Sequence, residues 1–151
     1  MIIFSSIVIT SCFKEKDQIY DTEGTLVEFH TSTFTTPAAG RSYPLVAVAR
    51  GAGLRTQRVN LVGPQRANPE TIRFVVDTLT TATAGVHFKL GNDGSFVIPA
   101  NTSFENCSVE FLAAPRDSGK SVDLILRLEG NGSDIKPSEN YRRIGYRISL
   151  N

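Results

Sequence analysis

The sequence predicts an all-β fold, an antiparallel β-sandwich of about seven to nine strands, and three observations carry that prediction. Apolar residues recur at every second position through most of the chain, which is the period of a half-buried strand. Clusters of turn-forming residues interrupt these runs at Pro37 to Gly40, Gly51 to Gly53, Gly63-Pro64, Gly91 to Gly94, Ser118-Gly119 and Gly130 to Ser133. No segment sustains the 3.6-residue period of an amphipathic helix.

The elements follow in chain order. Val27 and Phe29 alternate with Thr25 and Glu28 in the first expected strand. "PLVAVAR" (44–50) comes next, then "QRVNLV" (57–62), with Val59 and Leu61 turned inward. "TIRFVVD" (71–77) points Ile72, Phe74 and Val76 one way and Arg73 the other. "SFVIP" (95–99) is short, and "ENCSVEFL" sets Cys107, Val109 and Phe111 against Asn106, Ser108 and Glu110. In "SVDLILRL" (121–128), Val122, Leu124, Leu126 and Leu128 alternate with Asp123 and Arg127. "YRRIGYRISL" (141–150) closes the set with Ile144, Tyr146, Ile148 and Leu150 inward. The longest polar loops fall at 51–57, 63–70 and 130–140, where a binding surface is expected. Tyr43 and Tyr141 are the aromatics nearest loop ends, each expected to pack in the core or at a strand edge.

Composition narrows the function. The chain has 151 residues and a net charge of +1, from 16 basic and 15 acidic side chains. No global field therefore steers it to nucleic acid or to a membrane surface. Nine Phe and four Tyr supply core material, while the absence of Trp weakens the case for a sugar-stacking platform. No apolar run reaches the roughly 18 residues of a membrane-spanning helix.

Signatures of catalysis are thin. "APRDSGKS" (114–121) ends like a phosphate-cradling loop, but Ala114 replaces the first glycine and Ser121 starts a strand rather than a helix. A hairpin turn at Asp117, Ser118 and Gly119 is the expectation. His30 and His87 have no i, i+4 partner, and no nucleophile elbow occurs. Cys107 reads as a core thiol. Arg50, Arg55, Arg58, Arg66 and Arg73 cluster in sequence, with solvated outward faces as the default. An enzyme, a metal site or a cofactor is not expected; a hydrolase site assembled from dispersed residues is the alternative.

The opening stretch resembles a bacterial lipoprotein signal, with an ordinary cleaved secretory peptide and a frayed N-terminal strand as the alternatives. Ile9-Thr10-Ser11-Cys12 is similar to the lipobox, in which the cysteine is acylated and becomes the new N-terminus, and residues 2–10 supply the apolar lead-in. No Lys or Arg precedes that run, so the start of the signal lies upstream of Met1 in this reading. The division expected is a signal segment at 1–11, a polar tether at 12–23 with Cys12 as lipid anchor, and a sandwich domain at 24–151.

A second resemblance lies in "TATAGVHF" followed by "FVIPANT" within residues 75–103, which is similar to the Calx-beta pattern of a turn leading into a strand. With the lipobox, "VNLVGP", "LILRLEG" and "PSENYRRIGYRISL", the chain resembles small Calx-beta-like lipoproteins of Bacteroidota that have no assigned function. The resemblance implies an immunoglobulin-like sandwich and an outer-membrane address near glycan-uptake systems. Calx-beta calcium sites use acidic residues, but His87 stands where the turn's Asp is expected, and Asp77, Asn92 and Asp93 alone are too few ligands. No calcium dependence is expected. Asp77-Thr78-Leu79 resembles an O-glycosylation sequence of that bacterial group, which nominates Thr78. The function implied is a non-enzymatic module binding an envelope glycan or a neighbouring outer-membrane protein, with a structural spacer as a further alternative.

Overall fold

A computed structural model describes residues 24–151; the lipobox residues 9–12 and the tether to residue 23 lie outside the described residues. Ten strands are described: β1 (Leu26–Phe29), β2 (Leu45–Ala49), β3 (Gly53–Val62), β4 (Glu70–Val76), β5 (Phe88–Leu90), β6 (Ser95–Ile98), β7 (Phe104–Phe111), β8 (Ser121–Gly130), β9 (Lys136–Pro137) and β10 (Arg143–Ser149). One short helix, α1 (His30–Phe34), follows β1, and a 3-10 turn (Gly91–Gly94) separates β5 from β6.

The strands form two five-stranded sheets, ordered β5-β7-β3-β1-β9 and β2-β10-β8-β4-β6. Every odd-numbered strand lies in the first sheet and every even-numbered strand in the second. Successive strands therefore never pair, and each connection crosses the sandwich. Most pairings are antiparallel, but β1–β9 and β10–β2 are parallel. The inner faces meet in one core built on Phe29, Phe74, Phe88, Phe111, Leu126 and Ile144. Phe111 of one sheet and Tyr146 of the other pack edge to face, ring centroids 5.2 Å apart, the geometry that the ring quadrupoles favour.

The all-β sandwich agrees with the expectation from alternation, and several details differ. Thr25 is buried on the same side as Val27, because side chains two apart share a face. The expected loop 51–57 is mostly strand, since β3 already pairs with β7 from Gly53. The ladder between β4 and β8 shifts at Arg73 and Phe74, and beyond it Val76 is exposed while Asp77 is buried. β5, only three residues long, is too short for alternation to reveal. In β8 both faces are covered: Leu124 and Leu126 point into the core, yet Asp123 and Ile125 are buried too. The physical reason is position, because β8 is the central strand of its sheet and Arg41, from the connection before β2, reaches Asp123 on its outer face.

The turn at Asp117 to Lys120 is present, with Gly119 at φ +78° and the Lys120 amide donating to the Asp117 carbonyl at 3.0 Å. It is not a hairpin. β7 and β8 belong to different sheets, so the turn carries the chain across the sandwich.

Candidate functional site

Residues 35–44 join α1 to β2 as a strap across the outer face of the second sheet. Two contacts tie it down and a third braces it internally. The Arg41 guanidinium pairs with Asp123 at 2.9 Å and donates to the Tyr43 hydroxyl at 2.6 Å. The Gly145 amide donates to the Pro44 carbonyl at 2.9 Å. Tyr43, part of the strap, is buried against Gly145 outside the main core.

Two buried carboxylates organise the face beneath. Asp123 also receives a two-point contact from Arg147, at 2.9 and 3.0 Å. Asp77 is 3% exposed; one oxygen accepts from Arg143 at 2.7 Å and the other from the Leu79 amide at 3.1 Å. Burial by itself raises the Asp77 pKa, but the bonds from Arg143 and Leu79 outweigh it and hold the carboxyl below its ordinary value. Both Asp77 oxygens are thus engaged, by Arg143 and by the Leu79 amide. Among the described residues, no group of three His, Cys, Asp or Glu side chains stands together as a metal site.

A cleft opens on each side of the strap. The first, about 310 Å³, is lined by Ser32, Thr33, Thr35, Thr36, Ser42 and Asn140, with Phe34 and Tyr141 among its aromatic walls. Phe34 is 68% exposed and Tyr141 38%. Both are held in place: the Tyr141 carbonyl accepts from the Phe29 amide at 3.0 Å, and the His30 ring packs edge-on to Phe34 at 5.1 Å. The second cleft, about 440 Å³, is bounded by Gly40, Arg41, Ser42, Leu79 and Arg143. Ser42 borders both, so the two form one surface around the strap.

Thr78 is exposed next to Leu79 on the rim of that second cleft, in the turn that Asp77 caps. Loops 63–70 and 130–140 are tied to one another by the Arg66–Asp134 ion pair at 2.8 Å and the Asn131–Glu70 hydrogen bond. The arginines clustered in sequence do not form one patch. Arg55 and Arg58 lie on β3, Arg73 lies on β4 of the other sheet, and Arg58 stacks on Phe104 at 3.9 Å. His87 accepts from the Thr83 amide at 2.9 Å and closes a turn, while His30 contacts Asn60. Cys107 is buried, donates to the Gln57 carbonyl at 3.4 Å, and burial pushes its pKa up to about 12. That leaves it an unreactive thiol at neutral pH.

A third depression, about 420 Å³, runs between β2 and β3. Its polar floor is internally bonded: Gln57 accepts from the Tyr146 and Thr31 hydroxyls and donates to the Arg58 carbonyl. Tyr141, expected to pack in the core or at a strand edge, is instead exposed on the first cleft because its loop ends outside the sandwich, and sequence reasoning does not single out Phe34 at all. The available signal was a lone Phe inside the hydroxyl-rich run "HTSTFTTP", where a core side chain is out of place.

Compared as a sequence, the chain matches no family pattern and no curated protein. Compared as a structure, it is similar to the apo form of the Calx CBD1 domain, with 16% identity, a TM-score of 0.59, and coverage of 83% of this chain and 96% of that one. It is also similar to a Bacteroides ovatus protein of unknown function, at 17% identity and TM-score 0.56, covering 81% of this chain and 43% of the other. A Bacteroides ovatus protein assigned provisionally to carbohydrate binding matches at 12% identity and TM-score 0.54, over 82% of this chain and 36% of the other. The chain thus spans under half the length of these two bacterial proteins. At such identities the likeness is one of fold, an all-β sandwich of the Calx-beta kind.

Proposed function

We propose that this chain is a non-enzymatic cell-envelope lipoprotein, held at the outer membrane through Cys12, whose sandwich binds a glycan around the strap. One observation carries the binding reading: two exposed aromatics, Phe34 and Tyr141, border a cleft lined, Pro37 apart, by hydroxyl and amide side chains. An aromatic face accepts the apolar C–H face of a sugar ring, while hydroxyl and amide groups bond its oxygens. Arg41 and Arg143 add guanidinium donors at the second cleft, already oriented by Asp123 and Asp77. A Bacteroides ovatus protein of similar fold, provisionally assigned to carbohydrate binding, supports this reading. Thr78 is proposed as an O-glycosylation site, on its exposure and its Asp-Thr-Leu context.

Calorimetric titration of the full chain with envelope oligosaccharides tests the binding. Phe34→Ala and Tyr141→Ala are each expected to weaken it by about tenfold, the equivalent of about 1.4 kcal/mol of lost stacking. Binding that survives both substitutions, or sugar products released at substoichiometric protein, overturns the reading. The address is tested by intact mass and membrane partitioning beside Cys12→Ala, using a gene extended upstream. Acyl mass and membrane association lost together in the variant support the anchor; an unmodified soluble chain overturns it.

A further inference from the structure

Four strands bound the two sheets: β5 and β9 in one, β2 and β6 in the other. Folded proteins blunt such edges with charge, proline or brevity, because unpaired backbone groups invite another strand. β5 has three residues and carries Lys89, and β9 has two, one of them Pro137. β6 has four residues, stops before Pro99 and lies against β7 of the other sheet. β2 is flanked by Pro44 and Arg50 but is unprotected along its own length. Leu45–Ala49 reads LVAVA, without charge, proline or glycine, and pairs only with β10.

The orientation of its backbone follows from two hydrogen bonds. Gly145 donates to the Pro44 carbonyl, and the Arg50 amide donates to the Ser149 carbonyl. Residues at even positions therefore serve β10, and Leu45, Ala47 and Ala49 turn their N–H and C=O groups to the open side. Of these groups, the Ala49 carbonyl meets the Ala52 amide at 3.3 Å. The Leu45 and Ala47 groups are without a backbone partner beyond the ladder among the described residues.

We infer that β2 is a self-pairing edge, joining two copies of this chain by an antiparallel β2–β2 contact about a two-fold axis at Ala47. That register sets Ala47 opposite itself and Leu45 opposite Ala49, the very residues whose backbone groups face outward. Each such pair exchanges two N–H···O bonds. Val46 and Val48 then meet across the axis at the closely spaced positions, over the apolar rim of the groove between β2 and β3. An isologous contact needs one patch complementary to itself, and a short run of alternating small and β-branched residues about an odd-numbered centre meets that need. Charge does not oppose it. Net charge is +1, and Arg50, the nearest cation along the strand, is bonded back to the Ala114 and Asn151 carbonyls of its own chain. The product is one sheet running through both copies, leaving the strap clefts outside the contact.

The test is sedimentation of the full chain from micromolar to near-millimolar concentration, with amide exchange read at Leu45 and Ala47. A concentration-dependent dimer is expected, with exchange at both amides slowed about tenfold in the dimer. Ala47→Pro removes an N–H that no bond within one copy uses, so the fold is kept and the dimer lost. Ala47→Lys and Ala47→Glu each weaken self-association, and mixing the two restores it as a heterodimer. A monomer at every concentration overturns the inference. So does slow exchange that is independent of concentration, which assigns the edge to another segment of the same chain. A dimer that survives Ala47→Pro overturns it as well.

Discussion

The ring of Tyr43 rests directly on Gly145. A Cβ built at Gly145 lies 3.2 Å from Tyr43 Cε2 and 2.6 Å from Leu45 Cδ1. Gly145 pairs with Ile125 in the ladder, so its bare backbone is the seat on which the strap packs against the centre of the sheet. Gly145→Ala is therefore expected to lift the strap and cost about 1–3 kcal/mol, the range for overfilling a packed site. Urea unfolding measures it: a lower midpoint at unchanged slope is the expected outcome. An unfolding free energy within about 0.5 kcal/mol of the parent shows that the strap yields without cost.

The Asp77–Arg143 pair makes a prediction in pH. The folded-state pKa of Asp77 lies below its ordinary 3.8. Its contribution to stability is therefore complete above that value and is lost as pH falls through the depressed folded pKa. Asp77→Asn is expected to cost about 2 kcal/mol at neutral pH, less than a fully enclosed pair because Arg143 keeps some contact with water. The gap between variant and parent should close in strong acid. A gap that stays constant from neutral to acid pH assigns the loss to packing instead.

Cys107 predicts a latent thiol. In a Cys12→Ala background it is the one cysteine left, and its burial and raised pKa keep it protonated and out of reach. A colorimetric disulfide reagent should find almost no reactive thiol in native buffer and one per chain in urea. Rapid native labelling contradicts the buried assignment.

Phe111→Ala tests the contact that spans the two sheets. Phe111 is buried and packs against Tyr146 from the opposite sheet. A loss of about 3–5 kcal/mol is expected from the cavity it leaves, again read from urea unfolding. Phe34→Ala, on an exposed aromatic, should leave stability within about 0.5 kcal/mol of the parent. Equal losses at the two positions mean that Phe34 belongs to the core rather than to the cleft.

The local pattern decided a great deal. Alternation at Val59 and Leu61, at Cys107, Val109 and Phe111, and along Ile144 to Leu150 marks strands and their inward faces, because a side chain's face in a strand depends only on parity. The turn at Asp117 to Gly119 was likewise legible, since Asp and Gly carry the required backbone preferences in themselves. Pairing is different, because the partner of a strand is set by distant residues. Whether β7 turns back on β8 or crosses to the other sheet depends on which faces must meet in the core, and here every connection crosses. Burial of Asp77, Asp123 and Ile125 on an outward face is likewise invisible to parity. Asp123 is covered by Arg41 from residues 35–44, remote in sequence, and Asp77 is covered by its bonds to Arg143 and the Leu79 amide. Phe34 and Tyr141, more than a hundred residues apart, reach one cleft because the fold likewise joins remote segments.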